Sequence, residues 1–215
     1  MGERTAFFYG TLMAPPVLHR VIYGSTNPEE WQKKLTTVRS ALLQDYTRHK
    51  VKHADYPAIL PHSTTSSSET RSSRPSVRGS LVTGLTEGDI WRLDIFEGSQ
   101  YTRQKVCVKA LKNTALDALV DEANLAAHVE EEVEAETYVF TDSRSDLEEE
   151  EWDFEEFKRE KMWAWVGQAK EESGVEVDEG FGDVDRAVQG EQKRDPTGGR
   201  GAGGKITREL EAAAV

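Results

Sequence analysis

The chain reads as an α+β fold: strands of a small mixed β-barrel, or of an open sheet, with helices on the flank. Three observations lead there. Short apolar segments with strand-like composition recur along residues 5–140. Only a few segments carry helical spacing. No internal repeat organises the rest. Pattern alone does not separate a closed barrel from an open sheet.

The elements follow in order. Phe7, Phe8 and Tyr9 favour a pleated, half-buried surface and predict a first strand, ended by a turn at Gly10. Val17, Leu18, Val21 and Ile22 predict a short helix after Pro15-Pro16. Residues 38–51 alternate enough for one or two strands, and Ala58-Ile59-Leu60 for another. Residues 62–76, rich in Ser and Thr, read as a long loop. A strand is expected at 77–84, then a helix capped by Thr86 with Asp89 three residues on. Ile90, Leu93 and Phe96 form its apolar stripe, and Gly98 is placed to stop it.

Residues 101–110 alternate as a strand, with Val106 and Val108 on one face and Tyr101, Arg103, Lys105, Cys107 and Lys109 on the other. Residues 112–132 resemble a helical insert ending in the acidic connection Glu130-Glu131-Glu132, before a strand at 135–140. An acidic aromatic helix is expected at 146–169, with Trp152, Phe157, Trp163 and Trp165 packing inward and the Glu run solvated. The domain is therefore assigned to 5–169. Residues 170–215 are expected to be a disordered acidic and Gly-rich tail, with a short helix near its end.

Two stretches carry candidate chemistry. The turn after Tyr9 lets a ligand approach the main chain at Gly10 and can aim successive N–H groups at an anion or oxyanion. A plain strand and turn would look the same. The second stretch is Leu93-Asp94-Ile95-Phe96-Glu97-Gly98. Glu97 falls in the last helical turn beside Phe96, where the macrodipole disfavours an anion and partial desolvation raises a carboxyl pKa. Both effects move it toward a general acid or base. An ordinary exposed Glu before a C-cap glycine is the plain alternative.

Composition bounds the rest. The chain has 215 residues and a formal net charge of −12, which argues against nucleic acid as a partner. Cys107 is the single cysteine, so no internal disulfide forms, and His19, His49, His53, His62 and His128 make no zinc-type spacing. No signal peptide and no bilayer-length apolar run is visible, so a soluble cytoplasmic protein is the expectation.

An ordered set of motifs resembles the gamma-glutamylcyclotransferase-like family, closest to the branch of plant avirulence-induced proteins and gamma-glutamylamine cyclotransferases. The set is Tyr9-Gly10-Thr11-Leu12-Met13, Tyr56-Pro57-Ala58-Ile59, Val77-Arg78-Gly79, Leu93-Asp94-Ile95-Phe96-Glu97-Gly98 and Tyr101-Thr102-Arg103. Tyr138-Val139-Phe140 and residues 152–157 match more loosely. The resemblance implies a compact barrel of about six or seven strands, consistent with a sheet that closes on itself. It also implies release of 5-oxoproline from a gamma-glutamyl amide or peptide, with no metal or organic cofactor and a small-molecule gamma-glutamyl substrate as partner.

Carried onto this chain, the resemblance makes Glu97 the candidate for both proton transfers. Gly10, Thr11 and Leu12 become candidate backbone donors to the substrate. Tyr9, Tyr101 and Arg103 become candidate substrate contacts, and Tyr56 a candidate pocket wall. Two other readings stay open: a related amide-cleaving or acyl-transfer enzyme, and a binding protein on the same barrel without turnover. Oligomeric state is not legible.

Overall fold

The computed structural model describes residues 3–62, 74–112, 129–166 and 180–190. Five strands close into a mixed barrel in the order β1-β5-β2-β6-β7. They are β1 (Arg4–Phe8), β2 (Thr37–Gln44), β5 (Ser76–Leu85), β6 (Tyr101–Leu111) and β7 (Val129–Phe140). All neighbours run antiparallel except β1 and β7, which meet parallel at Ala6 and Glu136 and close the barrel. The other two strands, β3 (Tyr46–Lys50) and β4 (Pro57–Pro61), pair in a separate two-stranded sheet. The six or seven strands expected of the barrel are thus five plus a two-stranded annex.

β1 is buried on both faces, which is why it reads as an unbroken apolar run. Phe7 and Tyr9 enter the barrel with Leu43, Ile59, Leu81, Val108 and Val139. Ala6 and Phe8 face outward into a second core shared with the helices. That core receives α1 (Pro15–Tyr23) through Val17, Leu18, Val21 and Ile22, and α3 (Glu87–Glu97) through Ile90 and Leu93. The short α2 is Glu30–Lys33. The Thr86–Asp89 capping box forms in both directions, with Thr86 N donating to Asp89 Oδ2 at 2.7 Å. Gly98 closes α3 at φ 69°.

Three stretches depart from expectation. Residues 129–132, expected in the insert and its acidic connection, open β7 instead. Their glutamates are exposed, and Glu130 and Glu131 pair with Arg39 at 2.6 and 2.7 Å. The rest of the insert, 113–128, lies outside the described residues, as does loop 63–73.

The acidic aromatic helix is two pieces, α4 (Phe154–Glu160) and α5 (Met162–Trp165). Trp152, Phe157 and Trp165 are buried, while Trp163 is only partly so.

Residues 180–190 fall within the tail expected to be disordered, yet they form α6 (Phe181–Gly190). Phe181 and Val184, one helical turn apart, are both buried, and Phe181 joins the helical core. Arg20 pairs with Asp185 at 2.5 Å and lies over the Phe181 ring. The Gly-rich run 198–204 lies outside the described residues.

Candidate active site

A cavity of about 180 Å³ opens where β1 leaves the barrel. Phe7, Phe8, Tyr9, Gly10, Thr11 and Leu12 form one wall, and Phe96, Glu97, Gln100 and Tyr101 another. Tyr56, Pro57, Tyr138, Trp165 and Gly180 complete it. No lysine or arginine lines it among the described residues. Its size suits a small organic group: an apolar cavity of about 150 Å³ takes benzene.

The turn after β1 is a single 3-10 turn, Thr11–Met13. Its own bonds run from Met13 N to Gly10 O at 2.9 Å and from Ala14 N to Thr11 O at 3.0 Å. The N–H groups of Gly10, Thr11 and Leu12 take no part in these two bonds, and all three residues line the cavity.

Gly10 has φ −128°, so its role is not a left-handed turn. A Cβ there would come within 2.7 Å of Pro57 Cγ and 2.8 Å of Pro57 Cδ. The proline ring is stiff, and its carbonyl accepts the Tyr101 hydroxyl at 3.0 Å. Gly10→Ala is therefore expected to push Pro57 and Tyr101 together. Overpacking of this kind costs about 1–3 kcal/mol. Turnover should fall by at least roughly tenfold, since small displacements of positioning groups are amplified in rate. Normal turnover in a folded Gly10→Ala protein, measured beside its melting curve, would overturn the close-approach reading.

Glu97 closes α3 and is half-buried. Its pKa is pushed from 4.5 up to about 8, first by desolvation and second by the charge of Asp94 one turn earlier. No hydrogen bond to the carboxylate contributes to that shift. Asp94 itself accepts from Tyr138 Oη at 2.8 Å and Arg103 Nε at 2.8 Å.

Burial raises the pKa of Tyr9, Tyr101 and Tyr138, and the Glu97 charge adds to each. All three phenols therefore stay protonated as donors. Tyr9 Oη donates to Tyr138 O at 2.6 Å, and Tyr56 Oη donates to Gln100 Oε1 at 3.0 Å.

The raised carboxyl has a stability consequence with a definite sign. Between about pH 4.5 and 8 the folded chain holds a proton that the unfolded chain has released. Stability therefore falls as pH rises through that window. Glu97→Gln removes the effect, so its melting temperature should gain on the wild type steadily across the window. A difference that does not change with pH would remove the raised pKa from consideration.

The structure brings Glu97, Tyr9, Gly10, Thr11, Leu12 and Tyr101 to one cavity. It does not bring Arg103 there. Arg103 pairs with Asp94 and Glu136 on the outer side of the barrel, and these two carboxylates take up its guanidinium. Cys107 is exposed on the same strand.

The sequence assigned no part in the site to Asp94, Gln100, Tyr138 or Trp165, and gave Trp165 only a packing role. Asp94 was legible in principle, because it stands three positions before Glu97, at the i, i+3 spacing that shares a helix face. Tyr138 needed the β6–β7 register, which sets it opposite Arg103. Among the described residues no group of three or more His, Cys, Asp or Glu could hold a metal ion, and no helix is long and apolar enough to cross a membrane.

A family model described as gamma-glutamyl cyclotransferase, AIG2-like, matches residues 6–155. Protein AIG2 C of Arabidopsis thaliana is 26% identical over 156 residues, 73% of this chain and 73% of its own length. AIG2-like protein D of Arabidopsis thaliana is 27% identical over 167 residues, 78% of this chain and 87% of its own. The crystal structure of a yeast gamma-glutamyl cyclotransferase specific to glutathione overlays with a TM-score of 0.44 and 13% identity, covering 90% of this chain and 98% of the yeast chain.

Proposed function

Since the chain belongs to the gamma-glutamyl cyclotransferase, AIG2-like family, we propose that it cyclises a gamma-glutamyl amide or peptide to 5-oxoproline. The observation that carries this reading is the Glu97 carboxyl, its pKa raised to about 8, in a cavity also lined by Gly10, Thr11 and Leu12.

The substrate supplies its own nucleophile. Its α-amine nitrogen bonds to the side-chain carbonyl carbon, and the bond from that carbon to the leaving nitrogen breaks. The α-ammonium loses two protons on becoming the lactam N–H, and the amine takes up two on leaving as an ammonium. Glu97 relays them, first as base and then as acid, so one carboxyl serves both steps. The N–H groups of Gly10, Thr11 and Leu12 would hold the substrate carboxylate or the developing oxyanion. Tyr9 and Tyr101 wall the glutamyl group. Holding the chain folded back contributes several kcal/mol, up to roughly 7–11 in ideal cyclisations.

The base form of Glu97 must be present for attack. The rate at low substrate should therefore rise with pH toward a plateau above about 8. The test of the reading is direct. Incubation with a panel of gamma-glutamyl amines and dipeptides should release 5-oxoproline, measured by chromatography. Release no greater than the protein-free blank for the whole panel would reject cyclisation.

A further inference from the structure

We propose that Trp165 sets which leaving group the cavity accepts, by donating its indole N–H to an uncharged hydrogen-bond acceptor on that group. The proposal rests on the cyclotransferase reading above and names its substrate class.

The first observation is an unmatched donor. Trp165 is 3% exposed and lines the Glu97 cavity. Its Nε1 is buried and has no hydrogen-bond partner among the described residues. The fold satisfies other indoles: Trp152 Nε1 donates to Asp55 O at 2.8 Å, and Trp163 Nε1 to Glu160 O at 2.7 Å. A buried N–H without a partner is costly, and native folds keep few of them. One at a cavity wall marks a place where a ligand can complete the bond.

The second observation is rigidity. Three rings meet the indole near edge-on: Phe157 at 5.6 Å, Phe181 at 6.0 Å and Phe96 at 6.3 Å. The ring is held by these contacts and has little freedom to seek another acceptor. Phe96 precedes Glu97 in the chain, and Trp165 lines the same cavity as Glu97.

The third observation is position. The family match ends at residue 155, and Trp165 lies beyond it. The glutamyl half is common to every substrate of the proposed reaction, and it meets residues 10–12 and Glu97, inside the match. What distinguishes one substrate from another is the leaving group, and Trp165 belongs to the part of the chain outside the match. No lysine or arginine lines the cavity among the described residues, so a leaving group with its own carboxylate would be desolvated without a cation. A carbonyl or hydroxyl acceptor fits the donor at lower cost.

The test uses Trp165→Phe in the full chain, which keeps an aromatic ring and removes the donor. The substrates are γ-glutamyl-glycinamide and γ-glutamyl-n-butylamide, the second with no acceptor on its leaving group. The variant should lose roughly tenfold in kcat/KM on the glycinamide, as for one hydrogen bond, and at least about fivefold less on the butylamide. Equal losses on both, or no loss on either, overturn the proposal.

A second readout does not need turnover. In ¹⁵N-tryptophan-labelled Glu97→Gln protein, the indole resonance that Trp165→Phe removes should shift with glycinamide and stay with butylamide. If that shift occurs while the wild type releases no 5-oxoproline, cyclisation is rejected and the Trp165 contact stands. If turnover proceeds and the resonance does not move, the Trp165 proposal fails alone.

Discussion

Glu97→Gln is expected to abolish 5-oxoproline release by about 10²–10⁴-fold, the usual worth of a positioned acid–base group. Gln keeps the size and polarity of Glu and cannot relay a proton. The fold should survive, because among the described residues none donates a hydrogen bond to the carboxylate that the amide would break, and burial already disfavours its charge. Stability above neutral pH should in fact rise, for the reason of sign given above. The two readouts together are discriminating. A loss of turnover with an equal or higher melting temperature assigns Glu97 to the chemistry. Wild-type rates in a folded variant would remove it from the mechanism.

Arg103→Gln provides the contrast. Its partners are Asp94 and Glu136, so its loss bears on the charge around Asp94 and not on a substrate contact.

The parts of this site that were legible in the sequence are those written in local chemistry. The Thr86–Asp89 box, the Gly98 stop and the place of Glu97 in the last turn of α3 follow from spacing within one helix. The turn at Gly10 was legible for a partly different reason from the one found. Close approach was expected there, but φ −128° needs no glycine, and it is the ring of Pro57, distant in sequence, that excludes a side chain.

What failed depended on partners distant in sequence. On pattern alone Arg103 looks free on its strand face, and only the β6–β7 pairing brings Glu136 beside it. The acidic run at 130–132 looks like a connection until Arg39 on β2 offers it a counter-charge. Barrel closure rests on one parallel pairing, Ala6 with Glu136, which no local pattern encodes. Trp165 was expected to pack on the barrel; its ring meets Phe96, Phe157 and Phe181 on three helices. That its N–H has no partner among the described residues is visible only once those rings are placed.

Removing α6 is expected to destabilise the protein and to damage the site together. Composition alone would place the cut near Gln168 and leave the chemistry untouched. The structure argues for a cut after Gly190 instead. Phe181 is 7% exposed and meets both Phe96 and Trp165, at 5.1 and 6.0 Å between ring centroids. Truncating a buried Phe to Ala costs about 3–5 kcal/mol, or roughly 6–20 °C in a domain of this size. The Arg20–Asp185 pair adds little, since both side chains are partly exposed and such pairs contribute about 0–1 kcal/mol. Aromatic packing is therefore the dominant effect, and Phe181→Ala should reproduce most of the loss seen on ending the chain at Gln168.

Turnover should fall too. Gly180 lines the cavity, and the Phe96 ring that Phe181 supports is covalently next to Glu97. Melting curves and 5-oxoproline release for chains ending at 168 and at 190, beside Phe181→Ala, decide the matter. Equal melting temperatures for the two shortened chains would return α6 to the status of a separable tail. A lower melting temperature for the chain ending at 168, matched by Phe181→Ala, would make the helix beyond the family match part of the wall on which Glu97 rests.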